Sequence, residues 1–244
     1  PSADAINQGK ERFRQKLDLV SSPPKFMIRE IDGQRLPRHL DLAVVACSSD
    51  ARAPLLKKLM LETSVPYVIS EKFLFQKERE YSDILELKAA KHASIWVNEW
   101  MTGAYAFQRI AKMFERDPRV SMEVSGVNGG LCCNPGHFIA YFDKLNKCPD
   151  IRLKHECLDQ GMIPSRRDGF FELTGVITFV ADNGAELKMV SNQGDPDANI
   201  KIVIAGAESR ISVLMAQDYS AKVRFDGNGN GNGNGYSESF KLAY

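Results

Sequence analysis

"LDLAVVACSSDARAPLLKKLM", residues 40–60, decides the fold class: a continuous apolar run, a break at Cys47-Ser48-Ser49, then a longer amphipathic stretch. An aliphatic run too short for a helix, and apolar on both sides of the pleat, reads as a strand buried on both faces. The same alternation recurs around it. "KFMIREI" (25–31), "VPYVIS" (65–70) and "ASIWVN" (93–98) read as strands, and "QKEREYSDILELKAAKH" (76–92) reads as a helix. Strands separated by amphipathic helices predict a parallel sheet covered on both faces, an α/β architecture.

From about Val120 the rhythm changes. "VSMEVSGV" reads as a strand and "PGHFIAYFDKL" as a helix begun near a proline. A strand-rich tail follows: "GFFELTGVITFVA", "AELKMVS", "IKIVIAG", "SRISVLMAQ" and "AKVRF". Strands in succession, joined by turn signals such as "DNG" and "GDPDAN", predict a mainly antiparallel sheet. The expected organisation is an α/β domain over 1–119 and an α+β domain over 120–244. At the ends, "PSADAINQGKERFRQ" is helix-like, and the Gly-Asn run at 227–235 reads as a flexible low-complexity segment.

Composition narrows the function classes. The 244 residues are 43% apolar and 26% charged, with a formal charge of +1, a globular balance with no polybasic surface for nucleic acid. The longest apolar runs fall far short of the about 20 residues of a membrane-spanning helix, and no charged-then-apolar leader opens the chain. Five unevenly spread cysteines fit a reducing cytoplasm better than a disulfide framework. Cys47, beside an apolar strand, reads as a small buried hydrophobe.

A dinucleotide fold grips pyrophosphate with a Gly-x-Gly-x-x-Gly turn leading into a helix. The sequence contains no such turn in that setting, because the Gly-Asn run puts Asn232 where the third glycine is required. A Gly-Lys-Ser/Thr phosphate loop and a His-Glu-x-x-His metal helix are also missing.

"LDLAVVACSSDARAPLLKKLM", then "YVISEKFLFQ", "ASIWVNEW" and "GGLCCNPGHFIAYFDKL" together resemble the order of landmarks in the Gfo/Idh/MocA oxidoreductases, the glucose-fructose oxidoreductase and inositol dehydrogenase group. The resemblance runs from about Lys25 to Phe225. It implies a partial Rossmann-like parallel-sheet domain followed by a domain with an open, mainly antiparallel sheet. Glu71 and Lys72 match the family's Glu-Lys pair, and His137 matches its histidine. In the family that lysine and histidine face the substrate carbon from which hydride leaves. Cys47, Ser48 and Ser49 fall on the turn that lies near the cofactor's ribose and nicotinamide, and Glu71 is grouped with them. Asn98 falls at the end of the next strand, where relatives often place substrate contacts; Trp100, past that strand end, and Asn134, near the helix start, are further substrate-contact candidates from their own positions.

Two positions depart from the pattern: Phe73 stands where a proline usually follows Glu-Lys, and Cys133 stands where an aspartate often precedes the histidine by four residues. The resemblance also places the first strand, its glycine turn and first helix upstream of Pro1, and a closing strand and helix beyond Tyr244.

Each residue also has a structural reading. Lys72 at the carboxyl end of a parallel strand is either a proton-transfer amine or a lysine paired with Glu71 or solvent. His137 is either a second proton-transfer group or a helix-face histidine hydrogen-bonded in the core. Asn134 either caps the helix or binds ligand. Trp96 is expected in the core; Trp100 lines a pocket or packs near the surface. Arg166 and Arg167 read as a solvated turn rather than an anion site. Cys132, Cys133, His137, Cys148, His155 and Cys157 lack a known zinc spacing, so no metal is expected.

These readings lead to an NAD(P)-dependent oxidoreductase acting on a sugar or sugar-derived hydroxyl or carbonyl, with NAD or NADP as cofactor. The alternative is a catalytically silent binding or scaffold protein that keeps the fold. The resemblance further implies a homo-oligomer.

Overall fold

A computed structural model describes residues 11, 36–126, 130–148, 150–165, 169–192, 199–216, 218, 220–227 and 236–241. The expected strand at 25–31 lies outside these residues. So do the helix-like segment at 1–15 (apart from Glu11), the turn at 194–199 (apart from Asn199), Arg166 and Arg167, and the Gly-Asn run beyond Gly227.

Three strands, β1 (Leu42–Val45), β2 (Tyr67–Glu71) and β3 (Ser94–Asn98), form a parallel sheet in the order β1-β2-β3. Helix α1 (Ser49–Glu62) connects the first pair and α2 (Glu78–Ala90) the second. β-Branched residues in short runs favour the strands, and Ser48, extended at φ −62 and ψ 156, starts α1 as its N-cap residue. Ala53, Leu56, Leu59 and Ile84 from the helices bury against Val45, Val68 and Phe75.

Both helices cover one face of this sheet. The other face carries Leu42, Val44, Tyr67 and Trp96, at 49, 64, 51 and 52% exposure, so the expected cover on both faces is not present among the described residues. Successive right-handed crossovers running in one direction land on the same side. Trp96 is therefore corrected from core to surface. Side chains alternate along a strand, and Ile95 packs toward the first core, so Trp96 points to the bare face beside Tyr67, ring centroids 5.8 Å apart.

The chain continues through α3 (Trp100–Gly103), α4 (Tyr105–Met113), β4 (Ser121–Ser125) and α5 (Pro135–Asn146). Next come β5 (Ile151–Leu158), β6 (Ile163–Pro164), β7 (Phe171–Glu172), β8 (Gly175–Ala181) and β9 (Glu186–Ser191). The last strands are β10 (Ile200–Ala205), β11 (Ser209–Met215), β12 (Ser220–Gly227) and β13 (Tyr236–Lys241). Eight of these strands form one open sheet in the order β13-β12-β11-β10-β4-β9-β8-β5. Only the β4–β9 pair is parallel. The DNG signal does close the β8–β9 hairpin, with Ala181 N–H bonded to Ala185 O at 2.9 Å. Gly175 allows β8 to begin against β5: at φ +123, a Cβ there would lie 2.3 Å from Cys157 O.

The second core lies between this sheet and two helices. Met122, Leu187, Ile202, Ile204 and Ile211 meet Phe107 and Ile110 from α4, and Phe138, Tyr141 and Phe142 from α5. Membership of this core begins at Met101. Tyr141 is fully buried and donates its hydroxyl to Phe107 O at 2.8 Å; burial pushes its phenol far above the ordinary range. The carboxyl ends of β2 and β3 thus meet the first turn of a helix locked into the second core.

Candidate functional site

The three strand exits and the start of α5 each contribute side chains. At the first exit Cys47 is half-buried rather than buried, packed at the margin of the first core. The Ser48 hydroxyl bonds the Asp50 carboxyl and holds it below the usual carboxylate range. Ser49 Oγ accepts from Gln76 Nε2 at 3.0 Å.

At the second exit Glu71 and Lys72 point to different partners. Glu71 lies opposite Asn98 in register and accepts its amide at 2.7 Å. Lys72 is bonded neither to Glu71 nor solely to solvent. Its Nζ donates to Cys133 O and Asn134 Oδ1, both at 2.8 Å. Burial lowers its pKa from the ordinary lysine value, opposed by Cys133 and by the carboxylates of Glu99, Glu71 and Glu172. Asn134 holds the N-cap position of α5 without a side-chain cap bond. Its amide oxygen serves the lysine instead.

At the third exit Glu99 pairs with His137, the carboxylate meeting Nδ1. Both side chains are largely buried, at 16 and 9% exposure. A carboxylate only accepts, so Nδ1 carries the hydrogen and Nε2 is left as the basic nitrogen. Trp100 meets the imidazole edge to face, centroids 5.8 Å apart at 69°, and meets Phe107 at 76°.

α5 starts here because Pro135 at its first position lacks an amide hydrogen that a helix start leaves unpaired anyway. The turn before it is pinned from β7, where Glu172 Oε2 accepts from Cys132 N at 3.0 Å and Cys133 N at 3.3 Å. Gly130 makes that approach possible: at φ +47, a Cβ there would lie 2.8 Å from the Glu172 carboxyl. Burial raises the Cys132 thiol above its ordinary value, a direction Glu172 reinforces.

All nine residues expected at the site lie on these exits or at the start of α5. Lys72 and Asn134 are in direct contact, as are Glu71 and Asn98, and Trp100 and His137. Cys47, Ser48 and Ser49 stay on the β1 side. Sequence reasoning missed Glu99 and Glu172. Glu99 carried a readable signal, an acid immediately after a parallel strand, where open α/β sheets place ligands. Glu172, on a two-residue strand, carried none. The carboxylate facing His137 comes from a residue 38 positions earlier, whereas the position four before the histidine is Cys133. Among the described residues no three His, Cys, Asp or Glu side chains are grouped to hold a metal ion.

No protein-family model matches the sequence, and no curated protein does. Solved structures do match. UDP-N-acetylglucosamine 3-dehydrogenase GnnA from Acidithiobacillus ferrooxidans is 12% identical with a TM-score of 0.59, covering 84% of this chain and 66% of that one. KijD10, a 3-ketoreductase from Actinomadura kijaniata solved with TDP-benzene and NADP, is 14% identical at TM-score 0.59, with coverages of 82 and 63%. A super-repressor mutant of Gal80p from Saccharomyces cerevisiae gives 14% and 0.59, with coverages of 83 and 62%. The chain spans less than two thirds of the length of these structures. At such identities the likeness is one of fold: a Rossmann-like parallel sheet followed by a larger open, mostly antiparallel one.

Proposed function

We propose that the chain belongs to an NAD(P)-dependent oxidoreductase of the Gfo/Idh/MocA group. Its Rossmann-like part (1–119) would face a substrate-binding part (120–244), and it would act on a sugar or sugar-derived hydroxyl or carbonyl. The observation that supports this best is the convergence of Lys72 and His137 on one helix start, beside the carboxyl ends of parallel strands. That is where open α/β sheets bind ligands.

The residues present fit one end of a nicotinamide dinucleotide. Cys47, Ser48 and Ser49 line the turn at the N-terminus of α1, and Glu71 lies at the adjacent exit; these would hold the ribose and nicotinamide. The sequence offers no Gly-x-Gly-x-x-Gly grip for the pyrophosphate. When bound, the dinucleotide supplies or takes the hydride.

The chain's own residues handle the proton. In the oxidising direction neutral Lys72 accepts the substrate hydroxyl proton at Nζ, and its lowered pKa enlarges the neutral fraction at working pH. His137 receives or returns a proton at Nε2, and Glu99 stabilises the imidazolium that results. Asn98, Trp100 and Asn134 orient the sugar around these two groups. GnnA is by its name a UDP-N-acetylglucosamine 3-dehydrogenase, which supports a sugar-like substrate here.

No helix among the described residues is long and apolar enough to cross a membrane. A cytoplasmic location and self-association through the open face of the large sheet complete the reading.

The test is calorimetric titration of NADH and NADPH into the full-length protein that carries this chain, followed by turnover of a panel of free and nucleotide-linked sugars. Micromolar binding and turnover that falls in Lys72→Ala and His137→Ala support the enzyme. Failure of both cofactors to bind the full-length protein favours the second reading, a catalytically silent binding protein. The likeness in fold to a super-repressor mutant of Gal80p supports that alternative.

A further inference from the structure

Arg52, in the first turn of α1, is 2% exposed. A buried guanidinium is costly unless its donors are matched, and its matches are unusual in kind. Nη1 donates to Phe73 O and to Leu74 O, the latter at 3.2 Å, and Nη2 donates to Cys47 O. Nε has no partner among the described residues. All three acceptors are main-chain carbonyls, and they lie where the chain leaves β1 and β2.

Phe73 and Leu74 directly follow Lys72. Carbonyls leaving a strand have lost their ladder partners, and a rigid planar fork fixes the direction in which they point. A proline in place of Phe73 would restrict this turn from within; here the restriction comes from outside, through Arg52.

We propose that Arg52 is a positioning residue for Lys72, clamping the turn after β2 to the β1 exit so that the amine reaches the Cys133 and Asn134 oxygens. It acts through the backbone and touches no reacting atom. Its importance to catalysis rests on the proposed role of Lys72; its effect on the amine does not.

The amine is therefore read directly. In the full chain labelled with 13C at lysine Cε, the Lys72 signal is assigned by its loss in Lys72→Arg and titrated between pH 6 and 11. The groups facing this amine are Glu71 from its own strand end, Glu99 from the β3 exit, Cys133 before α5, and Glu172 from β7. In the unaltered chain Lys72 titrates below the other lysines. In Arg52→Lys, which keeps the charge and loses the fork, its midpoint moves up toward the others; in Arg52→Met it joins them. Arg52→Lys carries the test alone if Arg52→Met does not fold.

A depressed midpoint unmoved in the folded variants, with only a lower melting temperature, overturns the positioning role and leaves the proton-transfer reading intact. A midpoint already at the bulk value in the unaltered chain counts against the proton-transfer reading. It overturns the positioning role as well, because the amine would then not be held at the two oxygens.

Discussion

Lys72 and His137 meet at the same helix start but are anchored by very different regions. His137 rides on α5, whose Phe138, Tyr141, Phe142 and Leu145 are all buried in the second core. Lys72 leaves a three-stranded sheet that is apolar and exposed on one face, and is held by hydrogen bonds to Cys133 and Asn134 and by the Arg52 clamp behind it. Packing of its helix sets the imidazole in place, with Glu99 bonded to its Nδ1, whereas the amine is held by polar contacts. The two regions should therefore respond differently to the same kinds of change.

The largest effect tests the site itself. Lys72→Ala and His137→Ala should each lower turnover by about 10²–10⁴, the usual contribution of a positioned acid or base, measured as the change in nicotinamide fluorescence on an active substrate. Equal stability of the two variants would blur the contrast; the comparison predicts that only the histidine site sits on a rigid support.

Stability comes next. Phe142→Ala, in the second core, should cost about 3–5 kcal/mol, and Leu56→Ala, in the first, about 2–5 kcal/mol, by urea unfolding. Both side chains are fully buried. Trp96→Ser on the bare face should stay within about 0.5 kcal/mol. A Trp96 effect as large as that of Leu56 would mean that this face is covered in solution.

Glu99→Gln should reduce turnover by about 10², near the lower end for acid–base groups. A neutral amide neither enforces the Nδ1–H tautomer nor stabilises the imidazolium. Retention of full turnover would reduce Glu99 to a packing partner.

The smallest effect is one of pH. Burial lowers the pKa of folded Lys72 below its unfolded value, so between those two values the unfolded chain binds more protons, and stability rises with pH. The penalty for burying the charged amine is fully present below the folded pKa and gone above the unfolded one. Relative to Lys72→Met, the unaltered chain should thus gain stability as pH climbs toward 10.5, the ordinary lysine value. A flat difference curve from denaturant titrations would show that the amine is not desolvated.

Much of the architecture was legible in the sequence because it depends on local pattern. The strands around Val44, Val68 and Ile95, the helices at 49–62 and 78–90, and the strand-rich tail all follow from apolar periodicity and turn residues. Trp96 shows where pattern stops: "SIWVN" is apolar on both sides, and nothing in it records which face the helices will cover. Lys72 and His137 could be proposed as site residues through a resemblance and a strand-end position. Glu172 was not, because an acid on a two-residue strand has no periodicity to mark it.

The sequence by itself determined the order and type of the elements, the α/β then antiparallel organisation, and the polar residues that each strand exit carries. Only the tertiary structure decided which of them meet: Lys72 with Cys133 across 61 positions, Glu99 with His137 across 38, and Arg52 with Phe73 across 21. Local pattern acts through neighbours along the chain, while a hydrogen bond between distant segments exists only once packing has brought their backbones within about 3 Å of contact.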